Sequence, residues 1–191
     1  MKGLRCLLIA AALILGASSA QADLIFSATL LGSNETPPNA SPATGFALVT
    51  LESNNTILDV DETFTGLIGG PGSAAHIHCC AVSGVAAIVA VPFPGFPAAT
   101  SGHYVQSFDL SLTSTYNPAF ITAHGGTVAS AEAAFIASLE TGLTYSNIHN
   151  TTFPGGEIRG QLLPVPEPAS LILLGSVLLG FGMIRRRKKH R

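Results

Sequence analysis

Hydrophobic and polar residues alternate with a period of two over much of this chain. From Tyr104 to Leu112, Tyr104, Gln106, Phe108 and Leu110 fall on one side and Val105, Ser107, Asp109 and Ser111 on the other. Successive side chains of a strand point to opposite faces, so this run predicts a half-exposed strand. The run D-L-I-F-S-A-T-L-L from Asp23 to Leu31 predicts a first strand. Phe46–Glu52 and Ile57–Leu67 predict two more, joined by the hairpin signal Ser53-Asn54-Asn55-Thr56. In the second of these, Asp59, Asp61 and Thr63 alternate with Leu58, Val60, Glu62 and Phe64. One face is therefore acidic, and the carboxylates Asp59, Asp61 and Glu62 are expected in solvent rather than in a hydrolytic or calcium site. Val85–Val91 is continuously small and apolar, as in a strand buried on both faces, and Leu143–His149 with Gly156–Leu163 predicts a closing hairpin.

One helix is expected, over Ser130–Thr141, because A-E-A-A-F-I-A-S-L-E favours helix and puts Phe135, Ile136 and Leu139 on one side. Ser130 suits its N-cap and Gly142 its stop. The prolines of the loops at 32–45 and 92–102 exclude sheet interior there. About eight short strands with one helix define a mainly-β fold, a Greek-key antiparallel β-sandwich of immunoglobulin or superoxide-dismutase-like architecture. An α/β enzyme needs alternating helices that the pattern lacks.

Both ends depart from this alternation. Residues 1–22 carry Lys2 and Arg5, then an apolar run from Leu7 to Leu15, then Ala20-Gln21-Ala22. These are the parts of a secretory signal peptide, with cleavage expected between Ala22 and Asp23 by signal peptidase after passage through the export machinery. At the other end, residues 164–191 contain Val165-Pro166-Glu167-Pro168, sixteen uncharged residues from Ala169 to Ile184, and the cationic run Arg185–Arg191. A short apolar helix closed by such a tail inserts into a membrane with the tail in the cytoplasm. The domain, residues 23–163, is then exported across the inner membrane.

Trimming the ends changes the charge. The whole chain has nine basic and eleven acidic residues, but between Asp23 and Leu163 ten acidic residues face Arg159 alone, a net charge of −9. So acidic a domain is not expected to take nucleic acid or anionic lipid as its partner. Of the three cysteines, Cys79 and Cys80 lie in the domain, where a vicinal disulfide, a bond to another chain and buried thiols are all open.

Chemistry concentrates in G-S-A-A-H-I-H-C-C, from Gly72 to Cys80. On a strand His76 and His78 project to one side, about 6–7 Å apart, close enough to share a metal ion. Glu157 and Arg159 likewise share a face of the last strand and are expected to form a structural ion pair. His103 and His124 are expected as exposed loop residues. No Ser-His-Asp spacing, Gly-rich phosphate loop or H-E-x-x-H helix is present.

Two resemblances add to this reading. V-P-E-P, an apolar helix and an Arg-rich end resemble the PEP-CTERM sorting signal of Gram-negative bacteria. That resemblance implies an exosortase as partner at Pro166, Glu167 and Pro168, transient anchoring by the C-terminal transmembrane helix, and delivery to the cell surface or extracellular matrix. F-S-A-T-L-L-G-S-N-E-T-P-P, A-A-H-I-H and Y-S-N-I-H-N-T-T-F-P-G-G-E-I-R-G-Q-L, in that order, resemble the CHRD domain. This second resemblance implies a secreted β domain with no assigned enzymatic activity. It also places His149 in the same sandwich as His76 and His78, three imidazoles for copper or zinc. The leading expectation is a non-enzymatic module acting in adhesion or matrix organisation, its ligand unidentified. The second is a copper- or zinc-binding domain, with superoxide-dismutase-like redox activity by analogy of fold.

Overall fold

A computed structural model of the protein describes residues 22–166. The expected signal peptide and C-terminal helix, with Glu167 and Pro168, lie outside the described residues. Among the described residues no helix is long and apolar enough to cross a membrane.

The fold is mainly β, as the alternation predicts. Nine antiparallel strands form one sheet: β1 (Leu24–Leu31), β2 (Thr44–Leu51), β3 (Ile57–Thr65), β4 (Ala74–Cys79), β5 (Ile88–Pro92), β6 (Gly102–Asp109), β7 (Thr144–His149), β8 (Ile158–Gln161) and β9 (Leu163–Pro164). Their order is β5-β4-β7-β8-β1-β2-β3-β6, with β9 also on β1. β1, β2 and β3 run as a meander; the chain then crosses to the β4–β5 hairpin and back to lay β6 on β3. The sheet curls, so its two halves face each other across the core. Ser146 of β7 donates to Glu62 of β3, and Phe93, just past β5, stacks at 5.0 Å on Tyr104 of β6. Phe26, Leu30, Leu51, Leu58, Ile77, Ile148 and Ile158 are fully buried, each such side chain being worth about 1.5–3 kcal/mol.

The turn between β2 and β3 forms as expected: Asn55 takes a φ of 61°, and the Asn54 side chain accepts the Thr56 N–H at 2.9 Å. Among the described residues two α-helices form where one is expected, α1 (Pro118–Ala123) and α2 (Val128–Glu140). The longer begins earlier because Thr127, not Ser130, is its N-cap; Ser130 completes the capping box by accepting from the Thr127 N–H. Asn117 caps the short helix, whose proline sits in the first turn. The run Val85–Val91 is not a strand buried on both sides: β5 starts at Ile88, pairs only with β4, and leaves Val85 exposed. Cys79 and Cys80 are joined in a disulfide.

Glu62 corrects the reading of β3. Asp59 and Asp61 face outward, but Glu62 is fully buried, in phase with Leu58, Val60 and Phe64. Burial pushes its carboxyl up to about 7, against the Ser146 hydroxyl, which pulls it down. The folded state therefore holds a proton that the unfolded chain releases from about pH 4.5, so the contribution of this carboxyl to stability falls as pH rises from there through 7. Glu62→Gln removes this contribution to the slope. Between pH 4.5 and pH 8 the variant should gain on the order of 3 kcal/mol of stability relative to the parent, measured by urea unfolding at both values. An unchanged slope would show the carboxyl to be ionised in the fold.

Candidate metal centre

On β4 the side chains of Ala75, Ile77 and Cys79 enter the core, which turns His76 and His78 to the outer face. β7 pairs with β4 in the register Ala74↔His149, His76↔Asn147, His78↔Tyr145. Thr144, Ser146 and Ile148 go inward, so Tyr145, Asn147 and His149 join the two histidines outside. This outer face is not wet. The loops at 80–87 and 150–157 fold over it, and the loop at 32–43 covers the neighbouring β8, leaving His78 8 % and Asn147 2 % exposed. Gly156, at φ 123°, lets the second loop pass where a Cβ would collide with Asn147 and Glu35.

The three imidazoles converge. Ring centroids are 5.0 Å apart for His76 and His149, 5.6 Å for His76 and His78, and 6.0 Å for His78 and His149. One ring nitrogen from each lies within 4.8 Å of the other two. Nitrogens on a single tetrahedral ion stand about 3.4 Å apart at a metal–nitrogen distance of about 2.05 Å. Small ring rotations would close the difference.

Hydrogen bonding fixes which nitrogens are free. Nδ1 of His78 stands 2.9 Å from the Ala87 carbonyl and Nδ1 of His149 3.0 Å from the Pro154 carbonyl. A carbonyl only accepts, so both Nδ1 atoms carry the proton and both Nε2 atoms keep a lone pair. Those Nε2 atoms, with Nδ1 of His76, are buried and bond to nothing in the protein. Buried polar nitrogens without partners are costly, and three in one place call for a shared ligand.

Charge is excluded from this pocket. Burial, then the neighbouring His149 and His78, pushes His76 down to about 4. Burial pushes His78 down to about 4 as well, against its bond to Ala87, with His149 and the Arg159 charge lowering it further. His149 is also lowered by burial, against its bond to Pro154. Neutral imidazole is the form that coordinates metal.

Supporting residues hold the ligands in place. Tyr145 stacks parallel to His78 at 4.7 Å, and its hydroxyl accepts the Ala87 N–H at 3.0 Å, seating the carbonyl that orients His78. Behind Tyr145, the Arg159 guanidinium lies 4.7 Å from the ring centroid. Arg159 does not pair with Glu157 as expected. Its Nε donates to the Asn34 carbonyl at 2.6 Å, it also donates to Thr36 Oγ1, and Nε stands 3.8 Å from Glu35, which a loop over 100 residues upstream delivers. Glu157 instead accepts from the Ile68 N–H at 2.7 Å, the Gly69 N–H at 3.2 Å, Ser41 Oγ at 2.6 Å and Asn150. It thereby ties down the loop that leads into β4.

The other two described histidines stand apart. His103 is on β6 rather than in a loop, exposed and 2.8 Å from Asp61. His124 is half-buried at the end of α1, where Nδ1 donates to the Phe120 carbonyl at 2.9 Å. Tyr145, Ala87, Pro154 and Glu35 are the supporting residues that the sequence reading did not single out. Only Tyr145 had a linear signal, its period-two relation to Asn147 and His149.

Fold and site together define a curled antiparallel β domain with a buried three-histidine cluster on its outer face. The family model of the CHRD domain matches residues 26–162, and the chain belongs to that family. The PEP-CTERM protein-sorting motif matches residues 164–188. The protein is therefore exported, processed by an exosortase, and anchored transiently at the membrane. Comparison with curated proteins and with solved structures found no match.

Proposed function

We propose that this exported CHRD domain binds a copper or zinc ion through Nδ1 of His76, Nε2 of His78 and Nε2 of His149, as a non-enzymatic metal-holding module. The observation that carries the reading is the convergence of three histidines, one ring nitrogen of each within 4.8 Å of the others, each ring also holding a buried, unpartnered nitrogen and two having their tautomer fixed by backbone carbonyls. Imidazole suits copper and zinc, and three protein nitrogens leave at least one position for water or a small exogenous ligand. The domain's net charge of −9 favours a cation from outside. An adhesion or matrix role rests on the terminal signals and the CHRD domain's membership in its family, whereas the histidine cluster has a definite chemistry.

Metal analysis of the protein, purified at neutral pH without chelators and then incubated with copper or zinc, tests the reading. About one ion per chain is expected, falling to background in His78→Ala and His149→Ala. Less than about a tenth of an equivalent in the unaltered protein, or equal loading of the histidine variants, would dispose of it.

A further inference from the structure

The sorting motif leaves the domain with almost no slack. β9 lies on β1 with Pro164 opposite Phe26 and Leu163 opposite Ser27, and the Val165 N–H donates to the Ile25 carbonyl at 2.7 Å. The backbone is thus fixed to the domain as far as Val165. Pro166 opens the P-E-P motif, and the sixteen-residue uncharged segment starts at Ala169. From Val165 to Ala169 a fully extended chain reaches at most about 14 Å. The headgroup layer on one side of a bilayer is about 5–7 Å thick. While the uncharged segment is seated in the membrane, Val165 therefore lies among the headgroups or at most about 7–9 Å above them.

The surface around Val165 suits that position. Ile25 is 42 %, Leu163 55 % and Val165 42 % exposed, high values for aliphatic side chains grouped at one place. Beside them Leu24, Ile25, Phe26, Pro164 and Val165 line an open cavity of about 570 Å³, with the exposed carboxylates Asp23 and Glu140 also in its wall. We infer that this end of the domain is a docking surface for a zwitterionic lipid interface, occupied while the C-terminal segment holds the protein in the membrane. The aliphatic side chains enter the headgroup region, and the two carboxylates together with the domain's net charge of −9 disfavour anionic lipid. An exosortase then meets its motif pressed between the bilayer and a folded domain, not on a free tether.

The chain contains no tryptophan, so single reporters can be read without background. Ile25→Trp and Val165→Trp probe the docking end. Ile68→Trp probes the opposite end, since Ile68 is 61 % exposed and follows β3, whose Thr65 pairs with Thr44, itself opposite Leu31. Each protein is purified from the membranes of an exporting host and reconstituted in phosphatidylcholine–phosphatidylethanolamine vesicles. Emission of the floated, vesicle-bound fraction is then compared with and without bromine on the upper acyl carbons. The expected result is at least about a twofold loss of emission at positions 25 and 165 and none at position 68. Equal quenching at all three positions, or none at 25 and 165, would overturn the inference and leave this face to the exosortase or to another segment of the chain.

Discussion

Replacing Arg159 by methionine is expected to destabilise the domain by roughly 3–5 kcal/mol, the cost of leaving a buried carboxyl without its counter-charge. Arg159 is 4 % exposed and is the lone Lys or Arg between Asp23 and Leu163. Its guanidinium faces Glu35, also 4 % exposed, and bonds to the Asn34 carbonyl and Thr36 Oγ1. Methionine keeps the apolar bulk of the stem but neither these bonds nor the guanidinium over Tyr145. Burial already pushes Glu35 up to about 7, against the pull of Arg159, so removing the cation raises it further. A carboxyl raised above its unfolded value holds a proton that the unfolded chain gives up. The stability of Arg159→Met should therefore fall more steeply than that of the parent as pH rises from about 4.5 through 7. Adding Glu35→Gln should recover part of the loss at pH 8 and little at pH 4.5, read by urea unfolding at both values. A single variant as stable as the parent at pH 8 would show that the pair contributes nothing to the fold.

That pair also marks where the sequence stops being informative. Period two correctly turned His76 and His78 to one face, because alternation is a property of the strand itself. It also put Glu157 and Arg159 in phase, but phase names a face and not a partner. The partner of Arg159 comes from the loop at 32–43, and no local pattern encodes where a proline-containing loop lands. His149 joins His76 through the pairing of β4 with β7, strands about 70 residues apart in sequence, and only the family resemblance brought it close beforehand. Glu62 was different: its alternation with Asp59 and Asp61 already placed it with Leu58, Val60 and Phe64. Its charge argued for solvent, and the partner that makes burial tolerable, Ser146, lies on the opposite half of the sheet. The helix start was missed by two residues because Thr127 and Ser130 both look like caps, and only the reciprocal bond between them shows which leads.

Loading the histidine cluster should raise the melting temperature by about 10 °C when free metal exceeds its dissociation constant a thousandfold. Binding to the folded state alone adds about 4 kcal/mol under that condition, and for a domain of this size each kcal/mol is worth about 2–4 °C. Chelation with EDTA should reverse the gain, and His78→Ala and His149→Ala should show neither gain nor reversal. The pH range discriminates further. Histidines at their ordinary value, near 6.5, are mostly protonated at pH 5.5 and lose metal there, whereas His76 and His78 are held at about 4 by burial and by their neighbours. Protons thus compete poorly, and the metal-dependent gain should persist at pH 5.5 and disappear only as pH approaches 4. The metal-free domain moves in the same direction for a separate reason. Its unfolded chain takes up protons on these histidines below about pH 6.5 while the folded one does not, so their contribution to its stability falls from there toward pH 4. Comparing loaded and chelated protein at each pH separates the two effects, because the second is common to both. A gain already lost at pH 6, or one that survives in the histidine variants, would place any bound metal elsewhere than on these three rings.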